Sequence, residues 1–278
     1  MSFMSPGQVV WFEIGTADPQ AVTGFYGPLL GWTFEVDPDS SVDGRTYTRV
    51  LAPGAPWPMG AVQQGGIGEE AVNLSILSAD VHADVDRLTG LGATVVVPAT
   101  RVGDVTVFAR LKDPRGNLFS LFSQSTSQRF AERIAGTEEH MRQAAAVPRP
   151  GSMAGFEIGT TDPEGTTGFY GAAFSWRFEE AETAGGTPYS AVFGPGAAWP
   201  SGGLLDLGGD NAGETVDYAM PCFLVTDVAA TCAAAQRAGA RVEQGPRPLP
   251  GGLVRSRLVD PRGNRFGLLS RPAGPSAG

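Results

Sequence analysis

Residues that commonly bind transition metals are scarce in this sequence. Its 278 residues include two histidines, His82 and His140, and two cysteines, Cys222 and Cys232. Ser-His-Asp and Cys-His nucleophile sets need a histidine beside the nucleophile, and a transition-metal site normally gathers several imidazole, thiolate or carboxylate ligands. The composition therefore disfavours both kinds of catalytic site. The two cysteines fit small, buried, reduced side chains better than a disulfide framework.

Other absences narrow the class of protein further. No apolar run approaches the roughly 18 residues that a membrane span needs, and the first residues do not have the pattern of a signal peptide. The net charge of −9 opposes binding to a phosphate backbone, which requires clustered Lys and Arg. We therefore expect a cytoplasmic protein that binds neither membrane nor nucleic acid.

The strongest feature that the sequence does contain is an internal repeat. The segment 11–19 (WFEIGTADP) returns at 155–163 (GFEIGTTDP). Each copy is followed by a Phe-Tyr pair, at 25–26 and 169–170, and then by Trp32 or Trp176. Each half also ends on the same turn sequence, Asp-Pro-Arg-Gly-Asn, at 113–117 and 260–264. A repeat of this length predicts two similar domains.

Hydrophobic periodicity divides each half into two smaller units. Residues 9–15 alternate as a strand, Asp18 and Pro19 begin a helix, and three shorter strands follow. A second unit of the same order begins near residue 72. The predicted organisation is four β-α-β-β-β modules: domain 1 at 1–123, a linker at 124–150 with a possible polar-faced helix at 129–146, domain 2 at 151–271, and a mobile tail at 272–278.

These modules and marks resemble the vicinal oxygen chelate superfamily, which includes glyoxalase I, extradiol dioxygenases and bleomycin-resistance proteins. The layout is similar to two-repeat actinobacterial members. The resemblance implies an α+β fold in which four βαβββ modules form two glyoxalase-like domains, each with a U-shaped mixed sheet around a cavity. The Asp-Pro-Arg-Gly-Asn segments themselves are interpreted as turns rather than catalytic motifs, because Pro and Gly set the backbone angles there.

The resemblance also implies where a divalent metal would be bound. First-strand ligands would lie at Trp11 and Gly155, those of the following modules near Asn73 and Met220, and last-strand carboxylates at Ser120 and Gly267. The remaining ligand would fall within 58–63 or 201–206, where Asp206 is the one carboxylate. These residues do not form a ligand set, so we predict no metal and no cofactor. A magnesium or calcium site made of oxygen ligands stays open.

Strand alternation predicts which side chains line the two cavities. The candidate ligand-binding residues of the first half are Trp11, Glu13, Tyr47, Trp57, Asn73, Ser75, Ser120 and Phe122. Those of the second half are Glu157, Tyr189, Trp199, Met220 and Cys222. Because Gly155 and Gly267 stand where the first half has Trp11 and Ser120, the second cavity is expected to be the roomier one.

Two interpretations remain for the most conspicuous lining residues. Glu13 and Glu157 could act as general bases in a desolvated cavity, or they could pair with Arg49, Arg110, Arg255 or Arg257 and hold strands together. Trp57 and Trp199 could stack on a flat ligand near the cavity mouths or close the core. Tyr47 and Tyr189 could donate to a ligand carbonyl or simply pack.

The leading hypothesis is a metal-independent protein that binds a small hydrophobic or aromatic natural product. The resemblance implies antibiotic sequestration, self-resistance or an accessory role in biosynthesis. The alternative is a glyoxalase-fold isomerase, lyase, cyclase or oxygenase that uses Glu13 or Glu157 as a base, or a metal. A third hypothesis is a structural protein whose cavities are filled by side chains. The sequence leaves open the pairing of modules, and whether the chain forms a homodimer or joins a biosynthetic enzyme.

Overall fold

The computed structural model describes residues 5–38, 45–65, 71–102, 106–124, 149–181, 188–208, 216–249 and 252–271. Each half consists of two modules in the predicted β-α-β-β-β order. The helix expected at 129–146 and the tail at 272–278 lie outside the described residues. The domain boundaries at 123 and 151 stay predictions.

The described residues of the first half form eight strands and two helices. Its first module is β1 (Val9–Thr16), α1 (Pro19–Leu30), β2 (Thr33–Val36), β3 (Tyr47–Leu51) and β4 (Gly60–Gln64). Its second module is β5 (Ala71–Leu77), α2 (Val81–Gly90), β6 (Thr94–Val102), β7 (Thr106–Lys112) and β8 (Leu118–Gln124).

The second half repeats this order. Its first module is β9 (Met153–Thr160), α3 (Pro163–Phe174), β10 (Arg177–Ala181), β11 (Tyr189–Phe193) and β12 (Gly202–Asp206). Its second module is β13 (Tyr218–Leu224), α4 (Val228–Arg237), β14 (Arg241–Pro248), β15 (Val254–Val259) and β16 (Arg265–Ser270).

The two modules of each half join edge to edge in one curled, eight-stranded mixed sheet. The strand orders are β2-β3-β4-β1-β5-β8-β7-β6 and β10-β11-β12-β9-β13-β16-β15-β14. β1 pairs with β4 in parallel and with β5 antiparallel, so the joint between modules lies at the middle of the sheet. The expected α+β fold with U-shaped mixed sheets is confirmed. The open question of pairing is answered, since modules pair within each half.

Each long helix begins and ends as its sequence predicts. The Asp18 side chain accepts a hydrogen bond from the Ala21 amide (3.0 Å) at the start of α1, which satisfies a free helix donor. Gly31 ends α1 in the left-handed conformation (φ 70°). At the equivalent end of α3, Ser175 adopts the same conformation (φ 56°), although a side chain is disfavoured there.

The hydrophobic cores are shared between the halves. Val22, Phe25 and Tyr26 of α1 belong to one buried cluster with Phe223 of β13 and Phe266 of β16. A second cluster joins α3 in the same way to the strands β5, β7 and β8 and the helix α2 of the first half. Helices α1 and α3 therefore each pack between their own sheet and the sheet of the other half, and burial of this apolar surface holds the halves together.

Buried hydrogen bonds reinforce this packing reciprocally. The Tyr26 hydroxyl donates to Asp260 Oδ2 (3.0 Å), and the Tyr170 hydroxyl donates to Asp113 Oδ2 (2.9 Å). The indole of Trp32 donates to the Gly151 carbonyl (2.8 Å). In the mirror contact, Trp176 donates to the Gly7 carbonyl (2.7 Å).

The two Asp-Pro-Arg-Gly-Asn segments are turns, as expected, and their aspartates also receive these contacts. Asp113 Oδ1 accepts from the amides of Arg115 (2.9 Å) and Asn117 (2.8 Å). Asp260 makes the same contacts with Arg262 and Asn264. Burial first, and then the charge of the aspartate, raises the pKa of Tyr26 and of Tyr170 well above the usual value. Both phenols therefore stay protonated and remain donors.

No helix of the described residues is long and apolar enough to cross a membrane.

We predict that Tyr26→Phe and Tyr170→Phe each lower the free energy of unfolding by about 1–2 kcal/mol, because each removes a buried hydrogen bond from a phenol to a charged carboxylate. Chemical denaturation followed by far-UV circular dichroism measures this change. Tyr189→Phe is the matched control, because the Tyr189 hydroxyl makes no hydrogen bond within the described residues. Equal stability of Tyr26→Phe and Tyr189→Phe would contradict the proposed role of the phenol.

Candidate binding site

The face of each sheet opposite the helices is called the concave face here, and in the first half its centre is polar. Strand pairing sets Glu13 of β1 opposite Asn73 of β5, Ser75 beside Ser120 of β8, and Arg110 of β7 opposite Ser120. Because alternate residues of a strand share a face, these side chains meet on the concave side. We refer to Glu13, Asn73, Ser75, Arg110 and Ser120 as the polar row.

An ion pair lies at the middle of the polar row. Arg110 Nη2 is 2.6 Å from Glu13 Oε2 and 3.2 Å from Gln63 Oε1. The Tyr47 hydroxyl donates to Glu13 Oε1 (3.0 Å). For Glu13, the prediction that it pairs with an inward arginine is therefore confirmed. The pair joins β1 to β7 across the sheet and leaves the polar row close to neutral.

Tyr47 is a hydrogen-bond donor at this site. Burial first, and then the charge of Glu13 and the hydrogen bond to it, raises the pKa of Tyr47 well above its usual value. A hydrogen bond with Trp11 and the charge of Arg110 act in the opposite direction. The phenol is therefore protonated at neutral pH, and Trp11 is tied to the same network.

The remaining members of the polar row are linked through Ser120. Its Oγ accepts from Asn73 Nδ2 (2.6 Å) and from Arg110 Nε (3.2 Å). Asn73 Nδ2 also lies 3.4 Å from Glu13 Oε2. Since a carboxylate only accepts hydrogen bonds, this contact turns the amide nitrogen of Asn73 towards Glu13 and fixes the orientation of the amide.

Aromatic side chains border the polar row and are partly exposed. They are Trp11 of β1, Phe108 of β7 and Phe122 of β8, with Phe108 and Phe122 facing each other across the hairpin. Trp57, in the β3–β4 connection, is also partly exposed, and its indole nitrogen is buried without a partner among the described residues. The first concave face thus offers apolar rings around a polar centre, the composition expected of a small-molecule pocket.

The concave face of the second half carries a buried ionic network instead, in which Arg255 Nε has no hydrogen-bond partner among the described residues. Glu157, 2 % exposed, contacts the guanidinium group of Arg255 and accepts from the Tyr218 hydroxyl (2.6 Å). Arg257 contacts Tyr218 and donates to Glu243 (3.1 Å). Burial, and then the charge of Arg257, lowers the pKa of Arg255 to about 10. For Glu157 too, the pairing with arginine is confirmed.

Apolar side chains fill the rest of the second concave face. The buried cluster there is Leu205, Leu207, Tyr218, Met220 and Cys222, with Tyr189 and Leu269 packed against it.

The reason for expecting a roomier second cavity fails, because neither Gly155 nor Gly267 leaves open space. A side-chain carbon at Gly267 would lie 2.5 Å from Cys222 Sγ, and one at Gly155 would lie 2.8 Å from the Ser201 carbonyl oxygen. Neighbouring atoms therefore already occupy the space that a side chain at either glycine would need. Met220, Cys222, Tyr189 and Glu157 belong to this packed region.

Trp199, the counterpart of Trp57, lies on the surface with 82 % of its area exposed. It does not close the core, and none of the contacts of the polar row involves it. A ligand stacked on the exposed Trp199 indole would have no contact with the polar row, so the structure does not support the stacking interpretation for this residue.

The residues at the implied metal positions do not fit a metal ion. Trp11, Asn73 and Ser120 present an indole, an amide nitrogen and a hydroxyl that already accepts two hydrogen bonds, and the carboxylate of Glu13 is paired with a guanidinium. In the second half the corresponding residues are Gly155, Met220 and Gly267, so two of the three positions have no side chain. Within the described ranges, no group of three or more His, Cys, Asp or Glu residues could hold a metal ion.

The central position of Arg110 in the polar row could not be predicted from strand alternation. Arg110 was one of four arginines available to Glu13, and nothing in the pattern of alternation singled it out. The hairpin offers such a signal, because Arg110 and Ser120 each lie three residues outside the turn 113–117 and so face each other across it. Gln63 and Tyr218 were missed because they face the concave side from strand ends.

Comparison with known proteins agrees with this architecture. A family model described as a glyoxalase-like domain matches residues 10–122 and again residues 155–269. A Mycobacterium tuberculosis protein named "Putative glyoxylase CFP32" is 28% identical over 278 residues, which cover 95% of this chain and 94% of that protein.

Two further similarities extend over the full length. The anthracycline biosynthesis protein DauV of Streptomyces sp. strain C5 is 28% identical over 298 residues, which cover 100% of this chain and 98% of DauV. The 2,3-dioxygenase LapB from Pseudomonas sp. KL28 superposes with a TM-score of 0.60 at 13% identity, covering 99% of this chain and 96% of LapB. The likeness to LapB shows the fold alone.

We predict that the Cys222 thiol is unreactive in the folded protein. Burial raises the pKa of Cys222 to about 12, and the reactive species is the thiolate. In a Cys232→Ala variant, alkylation of Cys222 by iodoacetamide at pH 8 should be at least about 100-fold slower than in urea. Mass spectrometry measures the rate. Rapid native alkylation would show that the second concave face is open.

Proposed function

Because the chain belongs to the glyoxalase-like domain family, we propose that it binds a small, flat aromatic natural product on the concave face of its first half, without using a metal ion. The observation that carries this proposal is the contrast between the two concave faces. One is filled by its own side chains, and the other keeps partly exposed aromatic rings around the polar row.

The aromatic rim supports a flat ligand. Trp11, Phe108 and Phe122 are rigid and partly exposed, and aromatic pairs gain about 0.5–1.5 kcal/mol beyond the burial of their area. The polar row supplies fixed donors and acceptors that orient a ligand inside such a pocket. The similarity to a protein named for anthracycline biosynthesis favours a polycyclic aromatic guest and a role in sequestering or handling it during biosynthesis.

A second candidate is an enzyme in which Glu13 acts as a general base. The observation that favours it is the partial exposure of the Glu13 side chain, 15% against 3% for Glu157. Glu13 is then the one of the two that a substrate could reach. Against it, the carboxylate is held by Arg110 and Tyr47, which would have to release it for proton abstraction.

We expect saturable quenching of tryptophan fluorescence when the protein is titrated with an anthracycline in the presence of a chelator. Trp11→Ala should weaken the affinity about tenfold, because it removes a stacking surface. Trp199→Ala is the matched control and should leave the affinity unchanged, since that indole is exposed on the other half. The absence of saturable binding across a panel of flat aromatic compounds would refute the proposal.

Turnover separates the two candidates. A Glu13→Gln variant that binds the ligand as the parent protein does, with no chemical change of ligand in either sample by mass spectrometry, supports the binder. A ligand that is converted by the parent protein and left intact by Glu13→Gln supports the enzyme.

A further inference from the structure

Three polar atoms of the polar row have no partner. They are Arg110 Nη1, Asn73 Oδ1 and Ser75 Oγ, none of which makes a hydrogen bond to any of the described residues. The three residues are only 5 %, 2 % and 2 % exposed. Polar atoms in such surroundings are usually paired with protein or water.

The residues that carry these three atoms are neighbours on the first concave face. Asn73 and Ser75 are alternate residues of β5, and Ser75 neighbours Ser120 in the register of β5 and β8. Ser120 in turn receives Arg110 Nε, which holds the guanidinium plane beside the serines. None of the three atoms is among the buried polar atoms without access to solvent. Each of them therefore keeps some contact with solvent, through which a ligand group could pair with it.

Arg110 stands among the residues that the family resemblance assigns to a metal. It is bonded to Ser120 at one of the implied ligand positions, and Ser120 is bonded to Asn73 at another. A guanidinium carries a fixed positive charge with donors in one plane. It can polarise a ligand oxygen from this position without a metal ion.

The charge of the polar row selects the class of ligand. Glu13 Oε2 lies 2.6 Å from Arg110, so a fully charged anion entering the face would meet the carboxylate as well as the guanidinium. An uncharged carbonyl oxygen avoids that repulsion and still accepts from Nη1. A hydroxyl group near it could donate to Asn73 Oδ1 and accept from Ser75.

We propose that Arg110 is the oxygen anchor of the site, donating through Nη1 to the carbonyl oxygen of a quinone or aryl ketone. This proposal rests on the proposed function, because it assumes a flat aromatic ligand on the same face. Arg110 is a specificity-determining residue in this view, and Glu13 and Ser120 are positioning residues that hold its guanidinium in place.

The test compares two flat tricyclic probes of matched shape, anthraquinone, which has two carbonyl oxygens, and anthracene, which has none. The Glu13→Gln/Arg110→Gln double variant removes both charges together and so leaves no unpaired ion. We expect the double variant to bind anthraquinone about tenfold more weakly than the parent protein, since a hydrogen bond from a charged donor is lost. Its affinity for anthracene should stay within about twofold.

The outcomes distinguish this proposal from the proposed function. If the parent protein binds both probes and the double variant loses no selectivity, the anchor is refuted while aromatic binding stands. If the parent protein binds neither probe nor any other flat aromatic compound, the proposed function fails and the anchor with it. Because Glu13 only positions the guanidinium, Glu13→Gln alone, which keeps Arg110, should reduce the preference for anthraquinone less than the double variant does, and equal losses in the two variants would contradict the role of Arg110. Thermal unfolding of each variant verifies that the fold is intact.

Discussion

The packing of helices α1 and α3 between the two sheets is the constraint on which the rest of the structure depends. Helix α1 buries Phe25 and Tyr26 against β13 and β16 of the other half, and α3 does the same against the first half. The convex face of each sheet is thus committed to the joint core. The Tyr26–Asp260 and Tyr170–Asp113 hydrogen bonds fix the alignment of the halves, because a buried phenol and carboxylate are costly to separate. Only the concave faces are left free of this requirement.

The two concave faces have diverged within that frame. Where the first half has Asn73 and Ser75, the register of β9 and β13 sets Met220 and Cys222 in the second half. The apolar pair joins a packed cluster, whereas the amide and hydroxyl retain unpaired atoms. Packing of apolar side chains stabilises a domain, while the unpaired amide and hydroxyl atoms of the first half keep contact with solvent and could pair with a ligand. This contrast is consistent with a structural role for the second half and a ligand site in the first. The hypothesis of a cavity filled by side chains therefore describes the second half.

Much of the fold could be predicted from the sequence, and the site only in part. Alternation on β1 and the Asp18-Pro19 helix start predict the first module, because they depend on neighbouring residues. The repeated Phe-Tyr, Trp and Asp-Pro-Arg-Gly-Asn segments predict four modules. The hydrogen bonds that these segments make between the halves could not be predicted, because they join residues as distant in sequence as Tyr26 and Asp260. The side chains that fill the second concave face were misjudged for a similar reason. Glycine at 267 indicates space, and only the register shows that Cys222 occupies it.

A ligand site confined to one half, built around a guanidinium rather than a metal, is the central functional claim. Hydrogen–deuterium exchange measured with and without a bound anthracycline, in chelator throughout, tests it most directly. Ligand-dependent protection is expected in the peptides of β1, β5, β7 and β8, with the matching strands β9, β13, β15 and β16 unchanged. Protection centred on the second half, or binding that appears only after a divalent metal is restored, would contradict the claim.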